Sequence, residues 1–335
     1  MKVFKFSPSN YTEAYKSKGY AFVKDGVSPA FVAYAQKALE AALADQQASL
    51  RNFKFAGKKQ QFLFEFPADS DFPGGVFETV ATVAGLPLDR MTLCERHLKV
   101  YDSEAKSNPP AHKDRVASQV AVGLPLKVSQ GSNLVLYPNH YLEINPFNST
   151  AEWRDHLDEA DLPEKVLKDV EPVYLDAQPG DVVLFRGSSI YHERRNPANT
   201  AVLYLKFNAM RLDPIGEDPS TPVQRKKSLE ILQSSSDEEL LNSVIEVSPR
   251  LAQLGRYYTR LYWKEVIQAN VWGEKPFTLS EDEFRIMINV DGKRTVRHVI
   301  ERLGVPEPEY LSYVPRFRRL ARLQGIDFIS QGPQQ

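Results

Sequence analysis

The chain has 335 residues, 42% of them apolar, and a formal net charge of −1 at neutral pH. This composition argues against a disordered chain, and the near-zero charge gives no overall reason to expect binding to nucleic acid or to an anionic membrane surface. A single cysteine excludes an intramolecular disulfide, and no apolar run suits a signal peptide or a membrane span. We therefore expect a soluble, cytoplasmic protein with room for two domains.

The N-terminal segment is predicted to fold as helix, strand and helix. A short amphipathic stretch ends at Gly19, and the alternating sequence YAFVKDG that follows is typical of a strand that ends in a turn. Ser28 and Pro29 are a favourable N-cap and first-turn pair for a long stretch of strong helix formers. One strand between two helices is thus expected here.

Between about 93 and 208, short runs rich in Val, Leu, Tyr and Phe are separated by Gly, Pro and Asn. The runs are LCERHLKVY, SQVAVGLPLKV, SNLVLYPN, VEPVYLDA, DVVLFRG and TAVLYLKFN. Turns this frequent favour an antiparallel barrel or sandwich over parallel strands with crossover helices. A polar insert at about 149–169 interrupts the strands and is predicted to be helical.

After about Pro219 the strand signals stop and helical spacing follows, with Ser280 and Glu283 as a capping box. We predict a β-rich domain at 1–225 and a helical C-terminal domain at 226–335, which weakly resembles a winged-helix or peptide-recognition module. One helix of this domain carries four arginines: Arg316, Arg318, Arg319 and Arg322. They indicate either a docking surface for a peptide, a carrier or nucleic acid, or a helix that packs on the barrel or forms a homodimer.

Two short motifs carry candidate chemistry. His112 and Asp114 form a His-x-Asp pair, which by itself is also compatible with a solvated loop. His192 follows the predicted strand VVLFRG, which begins after a Pro-Gly-Asp turn. If the sheet closes on itself, the end of this late strand can meet the His-x-Asp pair. Two imidazoles and one carboxylate would then form the facial triad of a mononuclear non-haem Fe(II) centre, with positions left open.

Four segments, in this order, resemble the Fe(II)/2-oxoglutarate-dependent dioxygenases, near the phytanoyl-CoA-hydroxylase-like group. They are GYAFVKDGVSPAFVAYAQKAL, LKVYDSEAKSNPPAHKD, GSNLVLYPNH and PGDVVLFRGSSIYH. The resemblance implies a mainly β fold with helices (α+β) and a double-stranded β-helix core of the jelly-roll or cupin type. It implies His112, Asp114 and His192 as catalytic iron ligands, with 2-oxoglutarate and O2 as cosubstrates. Because halogenating relatives lack this carboxylate, Asp114 points to hydroxylation.

The resemblance also requires a cation for the distal carboxylate of 2-oxoglutarate. Many relatives carry an arginine where this chain has Asn, Thr, Ala and Val at 199–202. We predict that Lys206 serves instead, because alternation places it on one strand face with Tyr204; the alternative is an edge-strand lysine that points to solvent. Further candidates for binding the cosubstrate are Arg195, Tyr101 and Gln119.

Cations near the predicted mouth of the barrel indicate an anionic substrate, although solvated strand ends would explain any one of them. Arg115 and Arg96 are candidate substrate contacts, and His140 is either structural or substrate-facing. The predicted function is hydroxylation of an unactivated C–H bond in a small, anionic metabolite, with release of succinate and CO2. We expect no membrane or nucleic-acid partner. The alternatives are a protein or peptide hydroxylase that docks through the C-terminal domain, and a non-catalytic metal-binding barrel.

Overall fold

The structure is a computed structural model, and it describes residues 1–45, 49, 51–53, 59–106, 110–138, 143–259 and 264–330. The chain divides into two compact units, Met1–Arg211 and Leu212–Gln335. This division falls upstream of the boundary placed at 225/226. In the described part of the chain, no helix combines the length and apolar character needed to cross a membrane.

The described residues of the first unit form five helices and ten strands. In chain order these are α1 (Ser9–Lys18), β1 (Tyr20–Val23), α2 (Pro29–Ala44), β2 (Arg51–Phe53), β3 (Lys59–Leu63), α3 (Gly74–Ala84), β4 (Thr92–Tyr101), β5 (Val120–Lys127), β6 (Asn133–Tyr137), α4 (Thr150–Asp155), α5 (Pro163–Val166), β7 (Val173–Leu175), β8 (Val182–Phe185), β9 (Tyr191–Arg195) and β10 (Ala201–Asn208). The predicted N-terminal order is confirmed. The Ser28 side chain accepts a hydrogen bond from the Phe31 amide at the start of α2, and Gly19 ends α1 with a φ of 77°.

The strands of this unit form two antiparallel sheets. The larger sheet has the order β1-β8-β5-β10-β4-β3-β2, and the smaller has the order β7-β6-β9. From β5 onward the chain moves from the larger sheet to the smaller and back twice. This is the strand order of a double-stranded β-helix, or jelly roll, and it confirms the predicted fold class. The sequence did not indicate β9, because its residues YHERR carry one aromatic side chain among four polar ones.

Strand β10 is buried on both faces, and the two faces differ in character. Leu203, Leu205 and Phe207 belong to the main apolar core, which also contains residues of α2, α3 and β4. Tyr204 and Lys206 lie on the opposite face, where they line a cavity. The alternation predicted for this strand is therefore present, and its polar face is enclosed by protein.

The described residues of the second unit combine five helices with five strands. These are α6 (Ser220–Ser234), α7 (Asp237–Leu241), β11 (Val244–Val247), β12 (Leu251–Thr259), β13 (Lys264–Val271), β14 (Phe277–Leu279), α8 (Glu281–Met287), α9 (Val296–Arg302), α10 (Tyr310–Arg322) and β15 (Ile326–Ser330). The expectation that strands stop after Pro219 is wrong. The segment LAQLGRYYTRLYWKEVIQANV, which we expected to be helical, supplies β12 and β13, in keeping with its aromatic and β-branched residues. The capping box at Ser280 and Glu283 is present.

Three of the four arginines expected on a basic helix face pair with carboxylates inside the second unit. The pairs are Arg316–Asp282 at 3.2 Å, Arg318–Asp237 at 2.8 Å and Arg319–Glu283 at 2.6 Å. The apolar side of α10 packs into this unit's own core. These contacts favour a structural role for the helix over a docking surface.

Candidate metal centre

His112 and His192 face each other at the edge of the smaller sheet. They form an isolated antiparallel bridge, in which the amide of His112 donates to the carbonyl of His192 at 3.0 Å and the reciprocal bond measures 2.9 Å. Residues directly opposite in such a bridge place their side chains on the same face. The ring centroids are accordingly 4.5 Å apart. The bridge thus brings together the two histidines that the sequence assigned to distant segments.

Both imidazoles are held by backbone carbonyl groups. The Nδ1 atom of His112 lies 2.9 Å from the carbonyl oxygen of Pro110, and that of His192 lies 3.0 Å from the carbonyl oxygen of Ile190. Because a carbonyl only accepts, Nδ1 carries the proton and Nε2 keeps a free lone pair. Burial lowers the pKa of His112 to about 3 and also lowers the pKa of His192. Both rings are therefore neutral near pH 7.

Asp114 supplies the carboxylate. Its Oδ1 accepts a hydrogen bond of 2.6 Å from Lys206, whereas its Oδ2 is buried, lies 3.6 Å from Nε2 of His192 and finds no hydrogen-bond partner among the described residues. Burial opposes the charged form, but the Lys206 ammonium holds the pKa of Asp114 well below its usual range. One ligand atom from each of His112, Asp114 and His192 lies within 4.8 Å of the others. This donor set, with an orphaned carboxylate oxygen, suits a divalent transition metal.

Gly187 lets the turn between β8 and β9 pass close to this carboxylate. Its carbonyl oxygen accepts the Asp114 amide at 2.9 Å. A Cβ at Gly187 would lie 2.6 Å from the carbonyl oxygen of Ser118 and 2.9 Å from Oδ2 of Asp114. Only glycine permits this approach without a shift of the backbone. No local pattern distinguishes this glycine in the sequence, since its role exists only where the two segments meet.

Lys206 belongs to a buried network of charges. Its Nζ lies 3.9 Å from Oε1 of Glu95, the residue directly opposite on β4. Glu95 also contacts Lys99 at 2.9 Å and Arg115 at 3.2 Å. Burial opposes the charge on Glu95, but the neighbouring ammonium groups hold its pKa well below its usual range. Arg115, a predicted substrate contact, is thus tied to Glu95.

A cavity opens beside the two histidines and Asp114, and Arg194 forms part of its wall. Arg194 follows His192 by two positions on β9, so both side chains point to the same face. Its guanidinium donates to the hydroxyl of Tyr204 at 3.3 Å, and its Nε is buried without a hydrogen-bond partner in the described ranges. No carboxylate pairs with it in the part of the chain that is described. From the sequence, Arg194 differs in no visible way from the neighbouring Arg195, and only the cavity distinguishes the two.

The structure places Arg195 and Arg96 outside the cavity. Arg195 lies on the opposite face of β9, where it donates to Glu193 at 2.8 Å and to the hydroxyl of Tyr137 at 3.0 Å. Arg96 donates to the carbonyl oxygen of Phe64 at 2.7 Å. Arg195 directly follows Arg194, and Arg96 directly follows Glu95. Because neighbouring residues on a strand face opposite sides, both arginines point away from the cavity.

Of the remaining predicted site residues, one lines the cavity, one does not, and one lies outside the described ranges. Tyr101 lines the cavity, and its contact with a cosubstrate stays a prediction. The side-chain oxygen of Gln119 accepts the amide of Ala209 at 2.9 Å, and this side chain does not line the cavity. His140 lies outside the described residues.

No family model matches the chain, and no curated protein matches its sequence. Similar solved structures include SnoN, a non-haem alpha-ketoglutarate-dependent epimerase from nogalamycin biosynthesis, with 14% identity and a TM-score of 0.46 over 60% of this chain and 82% of SnoN. EctD from S. alaskensis, crystallised with 2-oxoglutarate and 5-hydroxyectoine, has 17% identity and a TM-score of 0.41 over 62% of this chain and 79% of EctD. A Pseudomonas putida prolyl-4-hydroxylase has 15% identity and a TM-score of 0.37 over 60% of this chain and 97% of its own. With identities and TM-scores this low, the assignment of a function depends on the site itself.

Proposed function

We propose that this protein is an Fe(II)- and 2-oxoglutarate-dependent dioxygenase that hydroxylates a small, anionic metabolite. The cluster of His112, Asp114 and His192 carries the proposal. Two neutral imidazoles and one carboxylate leave coordination positions for a chelating cosubstrate and for oxygen. The buried Oδ2 of Asp114, which lacks a hydrogen-bond donor among the described residues, is the atom that a metal ion would satisfy.

The residues around the ligands prepare them for a metal. His112 and His192 would bind through Nε2, and backbone carbonyls orient both rings. Lys206 occupies Oδ1 of Asp114, so that Oδ2 is left for the metal. When bound, Fe(II) and 2-oxoglutarate would, together with O2, supply an oxidant able to take hydrogen from an unactivated C–H bond, with one oxygen atom passing to the substrate as hydroxyl and the other to succinate, and with release of CO2. Leu134 and Phe185 give the same cavity an apolar part of its wall.

Two cations on the cavity wall are candidates for holding the distal carboxylate of 2-oxoglutarate. Lys206 is the residue predicted from the sequence, but its ammonium is occupied by Asp114 and lies near Glu95. Arg194 pairs with no carboxylate in the described ranges, and a guanidinium can offer two parallel donors to one carboxylate. We therefore assign the distal carboxylate to Arg194, with the hydroxyl of Tyr204 beside it.

The charge of the cavity favours an anionic substrate. Four cations line it, and Asp114 is the one carboxylate among its described lining residues; the cations are Lys99, Lys106, Arg194 and Lys206. Glu95, which does not line the cavity, forms ion pairs with two of them, Lys99 and Lys206. Positive charge still exceeds negative charge after Fe(II) and both carboxylates of 2-oxoglutarate are counted. A substrate that carries a carboxylate or phosphate would therefore be attracted to the cavity.

The proposal is tested by succinate formation from 2-oxoglutarate in the presence of Fe(II), with a panel of small carboxylates and phosphates as substrates. We expect His112→Ala, Asp114→Ala and His192→Ala to reduce turnover to background, because each removes a metal ligand. His298→Ala is the matched control, since His298 lies in the second unit and contacts Thr295. Full turnover in the three ligand variants would contradict the proposed site.

A further inference from the structure

Lys113 lies between two proposed metal ligands and is only 1% exposed. Within the described ranges no carboxylate lies within 4.0 Å of its ammonium, and the charge of Glu143 attracts it from further away, although a buried ammonium is costly unless it is compensated. Its Nζ donates to the backbone carbonyl of Glu143 at 2.6 Å. The same atom lies 4.6 Å from the ring centroid of Tyr191 and 5.7 Å from that of Trp153. The ammonium is therefore held by one carbonyl and two aromatic rings.

The segment that receives Lys113 also binds the backbone of the metal-ligating loop. The Thr150 hydroxyl donates to the carbonyl of Lys113 at 3.2 Å, and the Asn145 side chain donates to the carbonyl of Asp114 at 2.9 Å. The amide of Asn145 donates to the carbonyl of Ser188 at 2.9 Å, in the turn that precedes β9. The segment 143–153 thus connects the His-x-Asp loop to the turn that leads to His192.

A lysine at this position gives a directional contact that an apolar residue cannot. An apolar side chain would fill the same space, but it would not fix the distance between the loop and one particular carbonyl. Because Lys113 is flanked by His112 and Asp114, a shift of its main chain would move both ligands. Among the described residues, the His112 side chain hydrogen-bonds to Pro110 and the Asp114 side chain to Lys206, and neither bonds to the segment 143–153.

We infer that Lys113 is a positioning residue for the proposed metal centre, and that the segment 143–153 is the brace against which it holds His112 and Asp114. The inference rests on the proposed function, since it assigns a role in metal binding at the same site. It also gives the polar insert, which begins in this segment, a function in the first unit.

The test is the affinity of the full-length protein for Co(II), together with the visible absorption bands of the bound ion, which report its ligand geometry. Lys113→Met keeps the length of the side chain and removes its ammonium. We expect Co(II) binding to weaken by about 10- to 100-fold, as is typical when a group that orients metal ligands is lost, and the absorption bands to change. Thr150→Val removes one hydrogen bond of the brace and should weaken binding less. Lys165→Met, an exposed lysine of the same insert, is the matched control and should bind like the wild type.

Wild-type affinity and absorption bands in a folded Lys113→Met variant would overturn the inference, with folding judged by circular dichroism and thermal melting. If Lys113→Met does not fold, Thr150→Val decides, and unchanged Co(II) binding there overturns the inference. A wild-type protein that binds no Co(II) would instead refute the proposed function, and the inference with it. Failure of the role given to Lys113 is therefore distinguishable from failure of the proposed function.

Discussion

The Nζ atom of Lys206 lies 2.6 Å from Oδ1 of Asp114, while Oδ2 of the same carboxylate is buried without a hydrogen-bond partner among the residues described. The ammonium stabilises the buried charge of Asp114, and it leaves one oxygen for a metal ion. The loop that carries Asp114 and the strand β10 that carries Lys206 therefore depend on each other.

Lys206→Met should destabilise the metal-free protein by about 3–5 kcal/mol, because it leaves the charge of Asp114 buried and unpaired. Denaturant unfolding measures the change. Added Co(II) should recover part of the loss, since a metal ion can neutralise the carboxylate and stabilises the folded state by binding to it. Lys226→Met, at a lysine whose side chain is 80% exposed on α6, serves as the control and should leave the free energy of unfolding unchanged. Equal stability in both variants would refute the role given to Lys206.

Gly187→Ala should weaken metal binding and lower stability by about 1–3 kcal/mol, as in other overpacked sites. The added Cβ would lie 2.9 Å from Oδ2 of Asp114 and 2.6 Å from a backbone oxygen, so that the carboxylate or the turn must move. Co(II) titration and denaturant unfolding measure the two effects. Gly74→Ala is the matched control, since a Cβ there would meet no described atom within 4 Å. Co(II) affinity equal to that of Gly74→Ala would show that the close approach is unimportant.

Arg194→Met should weaken the binding of 2-oxoglutarate to the metal-loaded protein by about 10- to 100-fold, which corresponds to the loss of a hydrogen bond between charged groups. Arg195→Met is a control of the same chemistry at the next position, because its guanidinium contacts Glu193 on the other face of β9. Titration of the Co(II)-loaded protein with 2-oxoglutarate compares them. If Lys206→Met weakens this binding and Arg194→Met does not, the distal carboxylate belongs to Lys206, as predicted from the sequence.

The metal-free protein should lose stability as the pH falls below about 6.5. Burial lowers the pKa of His112 from 6.5 to about 3 and also lowers that of His192. Between pH 6.5 and about 3 the unfolded chain protonates His112 whereas the folded protein does not, so that the free energy of unfolding falls by up to about 1.4 kcal/mol per pH unit through this residue. The lowered pKa of His192 acts in the same direction below pH 6.5. Above pH 6.5 neither histidine contributes to the pH dependence of the free energy of unfolding. Urea unfolding at several pH values tests this, and His112→Asn should reduce the slope; an equal slope in the variant would contradict the assignment.

Local patterns in the sequence predicted an antiparallel barrel or sandwich, and the resemblance to the dioxygenases implied its jelly-roll form and the three proposed ligands. Strand period, turn residues and the Ser28 cap depend on neighbouring residues, so most strands of the first unit and the start of α2 could be predicted. The order of the His-x-Asp pair and His192 along the chain is also a property of the sequence. Local patterns failed where the surroundings of a segment decide its structure. Examples are β9, of whose polar residues only His192 and Arg194 line the polar cavity, and strands β12 and β13.

The tertiary structure decided how neighbouring side chains divide between the cavity and the outside. Alternation along β9 places Arg194 on the face of His192 and Arg195 on the other face, but only the pairing of His192 with His112 determines that the face of His192 lines the cavity. The contact between Lys206 and Asp114, and the enclosure of Lys113, likewise join residues whose distance is set by strand pairing. The sequence by itself determined which residues can bind a metal, because that depends on side-chain chemistry. The pairing of distant segments determined which charges surround those ligands, because contacts between such segments exist only in the folded chain.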